Sequence, residues 1–94
     1  MKKSSRTIPN RLPRKLKHIR EALKLSQNEL LERMGFGNTL FRSNISQYEH
    51  GDRVPPLLVV LQYARVAGIS MEEIVDDALN LPKRLNGAQK APRK

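Results

Sequence analysis

An all-α fold of five short helices is predicted for this chain of 94 residues by three observations. Apolar residues recur at helical spacing through its middle, while strand-like alternation is nearly absent. Ser26-Gln27-Asn28-Glu29 and Ser70-Met71-Glu72-Glu73 both have the form of a capping box. In that motif the serine oxygen accepts a backbone N–H three residues on, and the glutamate reaches back to the serine N–H. Gly35, Gly51 and Gly68 stand where the periodic runs stop, as helix-ending residues do. A folded body of roughly 60 residues is small, but a helical one can fold alone.

Helix 1 is predicted from Pro13, whose missing N–H is harmless in a first turn, to about Lys24. Leu16, Ile19 and Leu23 form its apolar stripe. Helix 2 follows the first capping box, from Gln27 to about Met34, with Leu30, Leu31 and Met34 facing inward. Gly37-Asn38 is turn chemistry, and Thr39 or Ser43 is a candidate cap for what comes next. Helix 3 spans Arg42 to His50, with Ile45 and Tyr48 inward. Asp52-Arg53-Val54-Pro55-Pro56 forbids a continuous helix. Leu57, Leu58, Leu61, Ala64, Val66 and Ala67 mark helix 4, and the second capping box opens helix 5 with Ile74 and Val75 buried. Three regions result: a basic flexible arm over 1–12, a helical domain over 13–78, and an extended or disordered basic tail over 79–94. Leu79–Leu85 has leucines with nothing obvious to bury them, so this segment and helix 5 are the expected dimer contact.

Charge is unevenly placed. Residues 1–20 carry Lys2, Lys3, Arg6, Arg11, Arg14, Lys15, Lys17 and Arg20 without an acid, and 81–94 add Lys83, Arg84, Lys90, Arg93 and Lys94. Between them five bases face nine acids, so the net +9 resides in the two ends. Basic ends on a small domain suit a polyanion, because each neutralised phosphate releases counterions. Cysteine is absent, which excludes a disulfide framework and the usual zinc-finger ligand sets. No apolar run approaches the roughly 18 residues of a membrane span, and no signal-peptide h-region is present. A cytoplasmic, nucleoid-associated protein without membrane contact is expected.

Two short amphipathic helices joined by a glycine-containing turn, in a basic protein, point to a helix-turn-helix that reads double-stranded DNA. The outward positions of helix 3 are Arg42, Ser43, Asn44, Ser46 and Gln47. Arginine can grip guanine O6 and N7, and asparagine or glutamine can pair with adenine N6 and N7. A merely solvated face would carry more Glu and Lys. Gln27 opens helix 2, where backbone N–H groups and the helix dipole favour a phosphate; Thr39 is a further phosphate candidate. His18 and His50 have no third ligand or acid partner in motif spacing and read as surface or capping residues. Glu72-Glu73 and Asp76-Asp77 fit a helix start and a solvated helix end better than catalytic carboxylate pairs. With no phosphate loop, metal cluster or nucleophile–base motif, neither an enzyme nor a cofactor is expected.

Residues 16–76 resemble the Xre/Cro, lambda-repressor-like helix-turn-helix family. The matching features are Leu16-x-x-Ile19-Arg20, Leu25-Ser26-Gln27-x-Glu29-Leu30, Ile45-Ser46-x-x-Glu49-x-Gly51, Pro56, Leu61-x-x-Ala64 and Gly68-Ile69-Ser70. The resemblance implies a compact five-helix domain in which Arg20 and Glu49 form a partly buried, purely structural ion pair. It also implies that Gln27 contacts the DNA backbone and braces helix 3, and that Arg53 touches a phosphate. The chain departs from the family between Gly35 and Ile45, which hold about four residues more than the usual turn. The excess either loops out of the turn or adds an N-terminal turn to helix 3, moving the reading residues toward Thr39 and Leu40. Leu40 and Phe41 are awkward at a DNA face and are candidates to tuck under the turn.

The leading functional expectation is a bacterial or phage-type transcriptional regulator, a repressor binding a palindromic operator as a homodimer. The alternative is a protein-interaction module of the same fold, an antitoxin or bridging factor with a protein partner. An RNA binder is disfavoured, because only Tyr48, Tyr63, Phe36 and Phe41 could stack and most read as buried.

Overall fold

The computed structural model describes residues 9–83 and residue 85. It contains α1 (Leu12–Ala22), α2 (Gln27–Met34), α3 (Arg42–His50), α4 (Leu57–Ala67) and α5 (Met71–Val75), and no strand among the described residues. Both predicted capping boxes form. Ser26 Oγ accepts the Glu29 N–H at 3.0 Å and Glu29 Oε1 accepts the Ser26 N–H at 2.7 Å. Ser70 and Glu73 exchange the same pair at 3.3 and 3.0 Å.

Helix α1 differs from expectation at both ends. It begins one residue early, at Leu12, and stops at Ala22 rather than near Lys24. The stop is a turn in which Lys24 takes a left-handed φ of 61°. That lets the Leu25 N–H reach the Arg20 carbonyl at 3.1 Å, a closure usually given to glycine. Gly51 ends α3 at φ 80°, and a Cβ added there would stand 3.3 Å from Pro13 Cγ. The end of α3 therefore lies directly against the start of α1.

The core runs through every helix. Leu12, Leu16 and Ile19 of α1 meet Leu30, Leu31 and Met34 of α2, Ile45 and Tyr48 of α3, and Ile74 of α5. In α4 the buried face is Val59, Val60, Tyr63, Ala64 and Ala67, whereas Leu57 and Leu58, which helped to mark that helix, are exposed. Val75, expected inside, is exposed because α5 is five residues long and only Ile74 turns inward.

The core does not stop at residue 78. Leu85 is 2% exposed and belongs to it, and Leu81 packs against it half-buried. This corrects the reading of Leu79–Leu85 as leucines without a place to go. Of the surface proposed for a dimer contact, Val75 and Leu79 remain exposed. Residues 1–8 of the arm and 86–94 of the tail lie outside the described residues.

The two ends of the fold are laced together, so Pro9–Leu12 are not part of a free arm. Asp77 accepts the Asn10 and Arg11 N–H groups at 2.7 and 3.0 Å, capping α1 from across the fold. Its carboxyl is held below the usual range, chiefly by the Arg11 N–H and then by the Asn10 N–H. Asp77 is thus a cap rather than a solvated helix end. Arg11 donates to the carbonyls of Asp77 and Leu79 at 2.6 and 3.2 Å and to Asn80 Oδ1 at 2.6 Å. Lys15 is 4% exposed, and its Nζ donates to the carbonyls of Glu73, Asp76 and Leu79 at 2.8, 2.9 and 2.8 Å. With Arg20, which pairs with Glu49, three of the eight bases counted toward a polyanion therefore hold the protein to itself. Arg14, Lys17 and His18 remain exposed on α1.

Candidate nucleic-acid interface

The excess residues between α2 and α3 loop out. The Phe36 carbonyl accepts the N–H groups of both Thr39 and Leu40 at 3.0 Å, closing a turn on itself, and α3 begins only at Arg42. Thr39 is exposed in that turn. Leu40 folds in against the core, but Phe41 does not: it is 75% exposed. An open groove of about 470 Å³ runs between α2 and this turn, lined by Asn28, Leu31 and Glu32 on one side and Leu40 to Ser43 on the other.

The helical period then sorts α3 into two faces. Ile45, Tyr48 and Glu49 are buried, Arg42 and Ser43 are exposed, and Asn44, Ser46 and Gln47 sit half-buried at the boundary. Asn44 has a local task as well, since its Oδ1 accepts the Phe41 N–H at 2.9 Å. Ser46 Oγ lies 3.3 Å from His50 Nδ1, whose proton is donated to the Ser46 carbonyl at 2.7 Å. Past Gly51, the Gln47 carbonyl accepts the Asp52 and Arg53 N–H groups at 2.9 and 3.3 Å, which leaves the Arg53 side chain exposed beyond the helix end.

What fixes α3 is a knot of charge and hydrogen bonds behind its last turn. Arg20 Nε and Nη2 donate to the two Glu49 carboxylate oxygens at 2.6 and 3.0 Å. Arg20 Nη1 donates to the Leu25 carbonyl at 3.0 Å, and Gln27 Nε2 adds a longer bond to Glu49 Oε1 at 3.4 Å. The Glu49 side chain is 2% exposed and that of Arg20 17%. Hydrogen bonding to Glu49 raises the Arg20 pKa above its ordinary value, against the opposing effect of burial. One carboxylate thus ties α1, the start of α2 and the end of α3 into a single rigid unit.

Beside the knot lies Tyr63, fully buried, whose hydroxyl has no hydrogen-bond partner among the described residues. Burial pushes its pKa far up, with the Glu49 charge adding to the shift. Burial also raises Tyr48, partly offset by Arg53. The linkage sign follows: above about pH 10 an unfolded tyrosine ionises while the folded one keeps its proton. Stability present below that pH is therefore lost as pH rises toward the folded pKa. Lys15 acts in the opposite sense, because desolvation lowers its pKa and relieves the fold as pH climbs. The Tyr63 shift is the larger. Urea titrations at pH 9 and 11 are expected to show a drop in stability that is smaller in Tyr63→Phe. At neutral pH the variant should equal or exceed wild type, since a stranded buried hydroxyl costs about 1–3 kcal/mol. A less stable Tyr63→Phe at neutral pH would mean that the hydroxyl is satisfied.

A family model described as a helix-turn-helix domain matches residues 14–79. The chain belongs to the helix-turn-helix domain family. The match covers well over half of the chain and agrees with the Xre-like resemblance carried by Ser26-Gln27, Ile45-Ser46 and Gly51. No curated protein and no solved structure matches it. Among the described residues of this helix-turn-helix chain, no cluster of three or more His, Asp or Glu side chains could hold a metal ion. No helix among them is long and apolar enough to cross a membrane.

Sequence reasoning missed three features of the domain. Lys15 lies on the same stripe as Leu12, Leu16 and Ile19, a spacing that marks it as inward-facing although its charge suggested otherwise. Tyr63 likewise falls on the buried period of α4, at i+3 from Val60 and i+4 from Val59. The reversed cap, Asn44 onto Phe41, had no signal beyond the three-residue spacing.

Proposed function

We propose that this helix-turn-helix protein is a sequence-specific double-stranded DNA-binding transcriptional regulator, a repressor that reads the major groove with α3. The observation that carries the reading is the hydrophilic edge at the start of α3. Arg42 and Ser43 are exposed, Asn44 and Gln47 stay open at the boundary, and the Glu49 knot holds the helix that presents them. Arg42 grips guanine and Gln47 pairs with an adenine edge, while Asn44, whose Oδ1 is held by the Phe41 N–H, offers its amide N–H to a base acceptor, with Ser43 and Ser46 alongside. Gln27, Thr39 and Arg53 position the backbone, at opposite ends of the reading helix. Two copies bind a palindrome, so that two α3 helices meet successive major grooves about 34 Å apart. The protein acts in the cytoplasm on the nucleoid.

Selection of bound sites from random duplex DNA tests this directly, reporting preference, symmetry and half-site spacing together. On the selected site, Arg42→Ala is expected to weaken specific binding by about 1–3 kcal/mol and relax the preference at one position. Unchanged binding by the variant would remove Arg42 from the reading set. A second reading, a protein-interaction module such as an antitoxin, draws on the exposed apolar side chains of Val54, Leu57 and Leu58 at the start of α4. Affinity for DNA that falls steeply with salt favours the regulator; salt-insensitive capture of a protein with no preferred duplex favours the module.

A further inference from the structure

Among the described residues Phe41 is the most exposed of the large apolar side chains, at 75%, and it occupies the N-cap position of α3. Neither the core nor the helix asks for it there. Serine, threonine, aspartate or asparagine serves an N-cap, because their oxygens accept a first-turn N–H; phenylalanine offers none. Asn44 supplies the hydrogen bond in reverse, taking the Phe41 N–H at 2.9 Å, while the Phe41 carbonyl accepts the Asn44 N–H at 2.9 Å. The backbone that carries the ring is therefore pinned on both sides. Its neighbour Leu40 is turned into the core, and the next two residues, Arg42 and Ser43, share its exposure.

We infer that Phe41 reads thymine, packing its ring against a 5-methyl group in the major groove beside the base contacted by Arg42. This rests on the reading of α3 as the DNA-reading helix and adds to it an apolar element of specificity. The floor of the major groove presents one apolar group, the thymine 5-methyl, and apolar side chains including phenylalanine are its usual partners. A ring carried on this pinned backbone at the end of α3 that enters the groove, followed by arginine and serine, has no other apolar surface to meet there. The looped-out turn makes this possible, because it spends Leu40 on the core and delivers Phe41 outward.

The test uses the duplex selected from random sequence, with each thymine in a half-site replaced in turn by deoxyuridine, which deletes the methyl and keeps the pairing. Wild type is expected to lose about fourfold in affinity at one thymine, the worth of a single buried methyl at about 0.8 kcal/mol. Phe41→Ala is expected to bind the all-thymine duplex more weakly and to be indifferent to that one replacement. Its melting curve should match wild type, since the ring is outside the core. Equal deoxyuridine sensitivity in wild type and Phe41→Ala, with the operator still preferred, overturns the inference while the regulator reading stands. A change in sedimentation of the free protein on Phe41→Ala also overturns it, assigning the ring to a contact between copies. If no duplex is preferred at all, it is the underlying reading that fails.

Discussion

Glu49→Ala is expected to lower the unfolding free energy by about 3–5 kcal/mol, the loss seen when one partner of a buried ion pair is removed. The magnitude follows from what is stranded. Arg20 loses both of its carboxylate bonds and keeps only the Leu25 carbonyl, while Gln27 loses its hold on α3. Since Arg20 is mostly covered, solvent cannot replace the lost acceptors without loosening the packing. Domains hold about 0.05–0.15 kcal/mol per residue, so the change removes a large share of the total. At about 4–8 °C per kcal/mol for a domain of this size, calorimetry should find Tm lower by well over 10 °C. Glu49→Gln, which keeps an acceptor for Arg20, should fall between. The base preference of the molecules that remain folded is expected to persist, because Glu49 faces the interior and Arg42 to Gln47 do the reading. An unshifted Tm would show that the pair holds nothing; a normal Tm with altered base preference would place Glu49 at the DNA instead.

The contrast between Glu49 and the edge it supports explains how much was legible in the sequence. Helices α2 and α3, their inward residues and both capping boxes could be read locally, since each signal lies within one or two turns. The Arg20–Glu49 pairing came from the family resemblance, not from spacing, because two residues 29 apart meet only through tertiary structure. The same limit explains the errors. Leu85 and Lys15 reach their partners across the fold, 58 residues and more in the case of Lys15, and although the spacing of Lys15 marks it as inward-facing, no local pattern names the carbonyls it meets. The turn was ambiguous for a different reason. Gly37-Asn38 licensed a loop, but whether Leu40 or Phe41 would enter the core depended on the space left at the core's edge. Charge counting failed at Arg11 and Lys15 because formal charge says nothing about which carbonyls lie within reach.

Lys15→Met is expected to destabilise the domain by about 1–3 kcal/mol, and to do so from the opposite end to Glu49→Ala. The lysine fills three carbonyls, those of Glu73, Asp76 and Leu79, gathering the end of α5 and the chain beyond it around a single nitrogen. The Leu79 carbonyl keeps Arg11 and the Asp76 carbonyl keeps the Leu79 N–H, so the loss falls on the Glu73 carbonyl and on the bracing of the junction, and an unpaired buried acceptor at about 1–3 kcal/mol outweighs what is recovered by no longer burying a charge. Burial of that charge is itself unfavourable, as the lowered pKa of Lys15 indicates, and methionine of similar length removes the penalty while keeping most of the packing. The carbonyls therefore decide the sign. Because Leu81 and Leu85 follow this junction into the core, hydrogen exchange should quicken first over residues 73–85, while α2 and α3 keep their protection. DNA affinity of the folded variant should change little, since Lys15 is committed to the interior and releases no counterion on binding. A variant as stable as wild type would mean that the Arg11–Asp77 contacts hold the junction alone. A variant that lost DNA affinity at unchanged stability would return Lys15 to the bases that meet a polyanion, from which its burial removes it.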